Sequence, residues 1–116
     1  MDEENNWALS IVELERAYQS SLDKCEPKAI CVINPGNPTG QVLSLENIQE
    51  IIKWAYTKKL IILADEVYQE NIYSENLKFH SFKKVAYELG APYSLMEIAS
   101  FYSCSKGWMG EYIKSF

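Results

Sequence analysis

Two hydrophobic rhythms alternate along the chain. Ile11, Leu14, Tyr18 and Leu22 recur at helical spacing behind Ser10, which forms a capping box with Glu13, so a helix ending near Asp23 is predicted. Pro27 closes the connection. Ala29 to Ile33 is a short apolar run with β-branched residues and predicts a strand. Ser44 is placed to cap a helix through about Lys58, with Ile48, Ile51, Ile52 and Ala55 on one face. Leu60 to Ala64 is apolar without a break and reads as a strand buried on both faces, ending in Asp65 with Tyr68 just beyond. Phe82, Val85, Ala86 and Leu89 form another helical stripe, stopped by Gly90 and followed by Pro92. Glu97 to Tyr102 holds a third strand. Met1 to Leu9 reads as an irregular lead-in, and Gln69 to Lys78 as an exposed polar connection.

The order helix, strand, helix, strand, helix, strand, with short connections, implies right-handed crossovers and a parallel sheet with helices packed on it. The fold class is therefore α/β, with a sheet that is thin for independent stability. Each strand runs into a polar cluster: Asn34-Pro35-Gly36-Asn37-Pro38-Thr39-Gly40, then Asp65 and Tyr68, then Ser103-Cys104-Ser105-Lys106-Gly107. In a parallel sheet these carboxyl ends share one edge, where ligands collect, so an Asn, an Asp, a Tyr, a Lys and two Ser converge on one crevice.

Each residue also has a plainer reading. Asp65 suits a helix or turn N-cap, a lone Lys is commonly a solvated surface residue, and an Asn between prolines is turn chemistry. His80 packs or caps beside Phe79 and Ser81 and receives no role. The loop at Asn34 to Gly40 is rigid, since two prolines and two glycines continue neither helix nor strand, but it matches neither the dinucleotide nor the P-loop glycine spacing.

Composition narrows the class. The 116 residues suffice for one small domain, and a net charge of −5 with a single His offers no basic patch for nucleic acid or an anionic membrane surface. No apolar run approaches the roughly 18 residues that span a bilayer. The acidic start Met1-Asp2-Glu3-Glu4 is the reverse of a presequence, and Cys25, Cys31 and Cys104 have no metal-ligand spacing. Reduced thiols in a cytoplasmic setting are expected, with Cys31 serving as packing; a mitochondrial matrix location stays open for a longer parent protein.

The conjunction of Asn-Pro-Gly-Asn-Pro-Thr-Gly at 34–40, Leu-Ala-Asp-Glu-Val-Tyr at 63–68 and Ser-x-Ser-Lys-Gly at 103–107 resembles the large domain of fold-type-I, pyridoxal-phosphate-dependent aminotransferases. Wider wording resembles the alanine aminotransferase branch: the Asp2-Glu3-Glu4-Asn5 and Trp7-Ala8-Leu9 opening, Gln41-Val42, Phe79 to Val85, and Met109-Gly110-Glu111. The resemblance covers 1–111 as part of a cofactor-binding large domain and leaves 112–116 as a divergent tail. It implies transamination between L-alanine and 2-oxoglutarate, giving pyruvate and L-glutamate, with pyridoxal 5'-phosphate as cofactor and a homodimer as the assembly.

The roles implied by the resemblance each have a physical reason. Lys106 would bond to the cofactor aldehyde and then serve as the base that moves the proton. Asp65 would pair with the pyridine nitrogen and keep it protonated, so that the ring can accept electrons. Asn37 and Tyr68 would hydrogen-bond the ring's phenolic oxygen. Ser103 and Ser105 would offer short hydroxyls, close to the lysine, to the phosphate.

The chain departs from the family at its ends. The arginine that clamps the phosphate a short way past the lysine is absent from Tyr112 to Phe116, and Lys114 cannot present a bidentate fork. The glycine-rich phosphate turn, the aromatic that stacks on the ring and the later small domain are missing too. The expectation is an internal piece of a longer enzyme, inactive alone. Two other readings share these residues: a different fold-type-I enzyme of the aminocyclopropane-carboxylate-synthase kind, and a non-catalytic truncated product.

Overall fold

The structure, a computed structural model, describes residues 8–106. The elements run α1 (Ile11–Ser21), β1 (Ala29–Ile33), α2 (Leu45–Thr57), β2 (Ile61–Asp65), α3 (Phe82–Leu89), a short 3₁₀ turn (Tyr93–Leu95) that the hydrophobic pattern does not signal, and β3 (Ile98–Phe101). The strands lie in the order β1-β2-β3, all parallel. Val32 pairs with Ala64 and Ala64 with Ser100; Ile33 pairs with Asp65 and Asp65 with Phe101. The lead-in up to Trp7, Gly107, the Met109-Gly110-Glu111 wording and the tail at 112–116 lie outside the described residues.

Local chemistry sets the helix ends. The Ser10 hydroxyl accepts from the Glu13 amide at 3.4 Å, as a capping box requires, but the Glu13 carboxylate turns away to Arg16 at 2.8 Å. Half the box therefore forms, and that ion pair holds the Glu13 carboxyl below its usual range. Ser44 caps α2 through the Asn47 amide at 3.1 Å. At the other end of α2, the Lys59 amide donates to Tyr56 and the Leu60 amide to Ala55, both at 3.0 Å, with Lys59 at φ 55°. This is the paired C-terminal motif that ordinarily takes glycine.

The core lies between the sheet and one helix layer. Ile48, Ile51, Ile52 and Ala55 of α2 are fully buried against Ile62, Ala64, Val32 and Ile98, together with Phe82 and Val85 of α3. An eight-residue helix is too short to hold alone, so α3 depends on this docking. A fully buried apolar side chain contributes about 1.5–3 kcal/mol, well above the tenths that propensity supplies.

The other sheet face is open, contrary to the expectation that β2 is buried on both sides. Along β2 exposure alternates: Ile62 and Ala64 are buried, Ile61 is 36% exposed and Leu63 half-buried. Topology gives the reason. Two right-handed crossovers between strands added in the same direction place α2 and α3 on the same face, and α1 packs on α2 rather than beneath the sheet. Cys31 also lies on the open face and is exposed, so it does not serve as packing. Cys25 and Cys104 are exposed free thiols as well.

α1 is fastened to α2 through one carboxylate. Glu15 accepts from the Trp54 indole, the Lys58 ammonium and the Gln19 amide, each at 2.8 Å, while the Tyr18 ring meets Trp54 edge-on at 6.0 Å. These bonds, led by that from Lys58, hold the Glu15 carboxyl at about 2. A depressed folded-state value means the contribution is complete above the ordinary carboxyl value of 4.5 and is lost as pH falls towards about 2. Trp54 emission should therefore shift between those limits, and Glu15→Gln should remove that acid limb. An unchanged limb in Glu15→Gln would show that Glu15 does not fasten α1.

Candidate functional site

The loop after β1 is held from both ends. Asn34, which the sequence reading takes only as part of the loop, is 1% exposed. Its Oδ1 accepts from the Leu43 amide and its backbone N–H donates to the Asp65 carbonyl, both at 3.0 Å. Inside this clasp the Gly36 amide donates to Gln41 at 2.9 Å and the Gly40 amide to Gly36 at 2.8 Å. Gly40 sits at φ 70°, the left-handed region where a side chain is strained. The loop thus projects Asn37 from a fixed base.

β2 delivers the next group. The Asp65 side chain accepts from the Val67 amide at 3.3 Å, which is the turn-cap contact of its plainer reading. That long bond leaves Asp65 at the carboxyl edge of the central strand, between Ile33 and Phe101. The Gln69 amide donates to Glu66 at 3.0 Å, closing a turn that carries Tyr68. The Asn37 side-chain Nδ2 donates to the Tyr68 hydroxyl at 3.2 Å, joining the loop to this turn.

β3 brings the third group. Ser103 and Ser105 share a hydroxyl hydrogen bond of 2.6 Å, and the Ser105 amide donates to the Ser103 hydroxyl at 3.2 Å. The Lys106 Nζ lies 6.0 Å from the centroid of the Tyr68 ring. So Asn37 bonds Tyr68 and Lys106 stands over the Tyr68 ring at the edge of cation–π range, while Asp65, Ser103 and Ser105 stand on the same sheet edge. A cavity of about 590 Å³ opens between the loop and the connection after Tyr68, lined by Pro35, Asn37, Val42, Tyr68, Ile72 and Tyr73; of the candidate residues only Asn37 and Tyr68 reach it. The connection from Gln69 is therefore less idle than its polarity suggests, since Ile72 is half-buried. His80 is half-buried and lines an adjoining depression with Ser44 and Glu46.

Three buried polar residues received no individual role in the sequence reading: Asn34, Asn47 and Glu66, at 1%, 8% and 5% exposure. For Glu66 a signal exists. Alternation along β2 continues one step past Asp65 and turns Glu66 to the helix side. Among the described residues no cluster of His, Cys, Asp or Glu could hold a metal ion, and no helix is long and apolar enough to cross a membrane.

Relatives share both sequence and fold. The profile of the family "Aminotransferase class I and II" matches residues 1–110. The chain is 58% identical over 112 residues to alanine aminotransferase 1 of Bos taurus, covering 96% of this chain and 23% of that protein. Human alanine aminotransferase 1 is 55% identical over the same share of each. The chain thus spans about a quarter of the length of these relatives. Among solved structures, an aminotransferase from Escherichia coli superposes with a TM-score of 0.70 and 28% identity, over 93% of this chain and 24% of that one. Parallel strands crossed over by helices, polar loops meeting at one sheet edge and a profile match over nearly the whole length agree: the chain belongs to the class I and II aminotransferases.

Proposed function

We propose that this chain is the cofactor-gripping portion of a pyridoxal-phosphate-dependent enzyme that exchanges the amino group of L-alanine with 2-oxoglutarate, yielding pyruvate and L-glutamate. The observation that carries the reading is the Asn37–Tyr68 hydrogen bond at the strand ends, with Lys106 over the Tyr68 ring at 6.0 Å and Asp65 on the same edge. The donor set suits pyridoxal phosphate group by group. An amide and a phenol can donate to a ring oxygen, a carboxylate can accept from a protonated ring nitrogen, paired serine hydroxyls suit phosphate, and an amine can reach an aldehyde. The choice of alanine rests on the 55–58% identity to two alanine aminotransferases.

When bound, the cofactor supplies an electron sink that loosens the hydrogen on the substrate's α-carbon. The protein's share is positioning and proton transfer. Asn37 and Tyr68, bonded to each other, set two polar groups at the cavity that both line. Asp65 fixes a negative charge at the end of the central strand, where a ring cation can be held. Lys106 holds an amine over the Tyr68 ring, and a lysine can both give and take a proton there, which an arginine cannot.

The test is amino transfer by the full-length protein supplied with pyridoxal phosphate. L-Alanine with 2-oxoglutarate should yield pyruvate and glutamate in equal amounts, faster than other small amino donors do. Preference for another donor would retain the aminotransferase and discard alanine.

A further inference from the structure

The search outside the residues already assigned leads to Glu66. It is the one carboxylate among the buried residues described, 5% exposed, and nothing in the proposed chemistry uses it. Burying a carboxylate is costly unless its oxygens find donors. Here they do. One oxygen accepts from the Phe82 amide at 2.8 Å and the other from the Ser81 hydroxyl at 3.1 Å. Ser81 occupies the N-cap position of α3 but makes no side-chain cap of its own. Glu66 therefore caps α3 from a distance, with its negative charge at the positive end of the helix dipole.

The same residue's backbone organises the site. Its N–H donates to Phe101 at 3.0 Å, carrying the β2–β3 ladder one step beyond Asp65. Its carbonyl accepts from Gln69 at 3.0 Å, closing the turn that presents Tyr68. Asp65 precedes it and Tyr68, which lines the cavity, follows two residues later, while Glu66 is buried.

We infer that Glu66 is a positioning residue: its buried carboxylate, anchored on Ser81 and Phe82, fixes the turn that sets Asp65 and Tyr68 against the cofactor. This rests on the cofactor reading above. The anchor matters because the alternative contact, Asp65 to the Val67 amide, is long at 3.3 Å and leaves the turn weakly specified by itself. A displacement on the order of 1 Å in positioned groups costs about a hundredfold in rate.

The experiment uses the full-length protein loaded with pyridoxal phosphate and three readouts. They are amide exchange at Phe82 without cofactor, the pH midpoint of the visible band produced by bonding to Lys106, and kcat. Glu66→Ala should speed exchange at Phe82, move the midpoint and lower kcat about tenfold to a hundredfold. Glu66→Gln, whose amide still accepts from Phe82 and can donate to Ser81, should stay close to wild type. Glu15→Gln, placed at the α1–α2 contact, should lower the melting temperature while leaving midpoint and kcat unchanged. If Glu66→Ala does not fold, Glu66→Asp and Ser81→Ala take its place, the first withdrawing the carboxylate by one methylene and the second removing one donor. Both should move the midpoint in the same direction. Faster exchange at Phe82 with unmoved midpoint and kcat overturns the inference and makes Glu66 a helix cap alone. No Lys106-dependent band in the wild-type protein overturns the cofactor reading, and the inference with it.

Discussion

Lys106→Ala should abolish transamination, lowering kcat by at least about 10²-fold to 10⁴-fold, the range expected when a positioned acid–base group is lost. The size follows from the lysine's two tasks in the proposed chemistry. Its amine bonds the cofactor aldehyde, and it relays the proton at the substrate's α-carbon. Its placement is particular: Lys106 follows β3 and a bonded pair of serines and lies over the Tyr68 ring. Lys58 is engaged with Glu15, while Lys53, Lys59, Lys83 and Lys84 are exposed on or beside helices. Lys106→Arg should be nearly as inactive although it keeps the charge, because a guanidinium stays protonated and cannot serve as base or nucleophile. Residual activity in Lys106→Arg above a tenth of wild type would reduce the lysine to an electrostatic role.

The second large effect is expected at Asp65. In the full-length protein, Asp65→Ala or Asp65→Asn should reduce kcat by about a hundredfold or more while weakening cofactor binding far less. A carboxylate beside a ring cation stabilises the ground state modestly and the transition state strongly, so its loss appears in turnover rather than in affinity. The competing account makes Asp65 a turn cap, on the strength of its bond to the Val67 amide. The two accounts separate cleanly. Asparagine can still accept from Val67, so a cap is preserved in Asp65→Asn and the function is not. Turnover in Asp65→Asn within about tenfold of wild type would favour the cap.

Much of this architecture is written in hydrophobic spacing. The stripe Ile48, Ile51, Ile52 and Ala55 is fully buried, and the runs at 29–33 and 97–102 become β1 and β3. Parallel pairing then brings the three polar clusters to one edge without any further information. Misreadings arise where spacing is silent about what lies outside the element. An unbroken apolar run such as Leu60 to Ala64 looks buried on both faces, yet topology puts both crossover helices on one side and leaves Leu63 half-buried and Cys31 exposed. The capping box at Ser10 forms only in part because Arg16, one helical turn on, competes for Glu13. Leu22 belongs to the helical stripe but stands at the helix end and is 45% exposed.

The site shows the same division. Asn37, Asp65, Tyr68 and Lys106 stand out by type and place, at the ends of strands. Asn34 and Glu66 do not, since a polar residue beside a motif reads as solvated until the fold shows it buried. What identifies them is pairing beyond their own element: Asn34 with Leu43 across the loop, and Glu66 with Ser81 and Phe82. Such contacts depend on how loops return to the sheet, which local periodicity does not encode.

The most direct test is to ask which lysine the cofactor chooses. The full-length protein is incubated with pyridoxal phosphate, reduced with borohydride and digested, and the labelled peptides are mapped. The account predicts label concentrated on Lys106, with Lys53, Lys58, Lys59, Lys83 and Lys84 essentially unmodified, and loss of that label in Lys106→Ala. Label spread evenly over several lysines, or retained in Lys106→Ala, would contradict it.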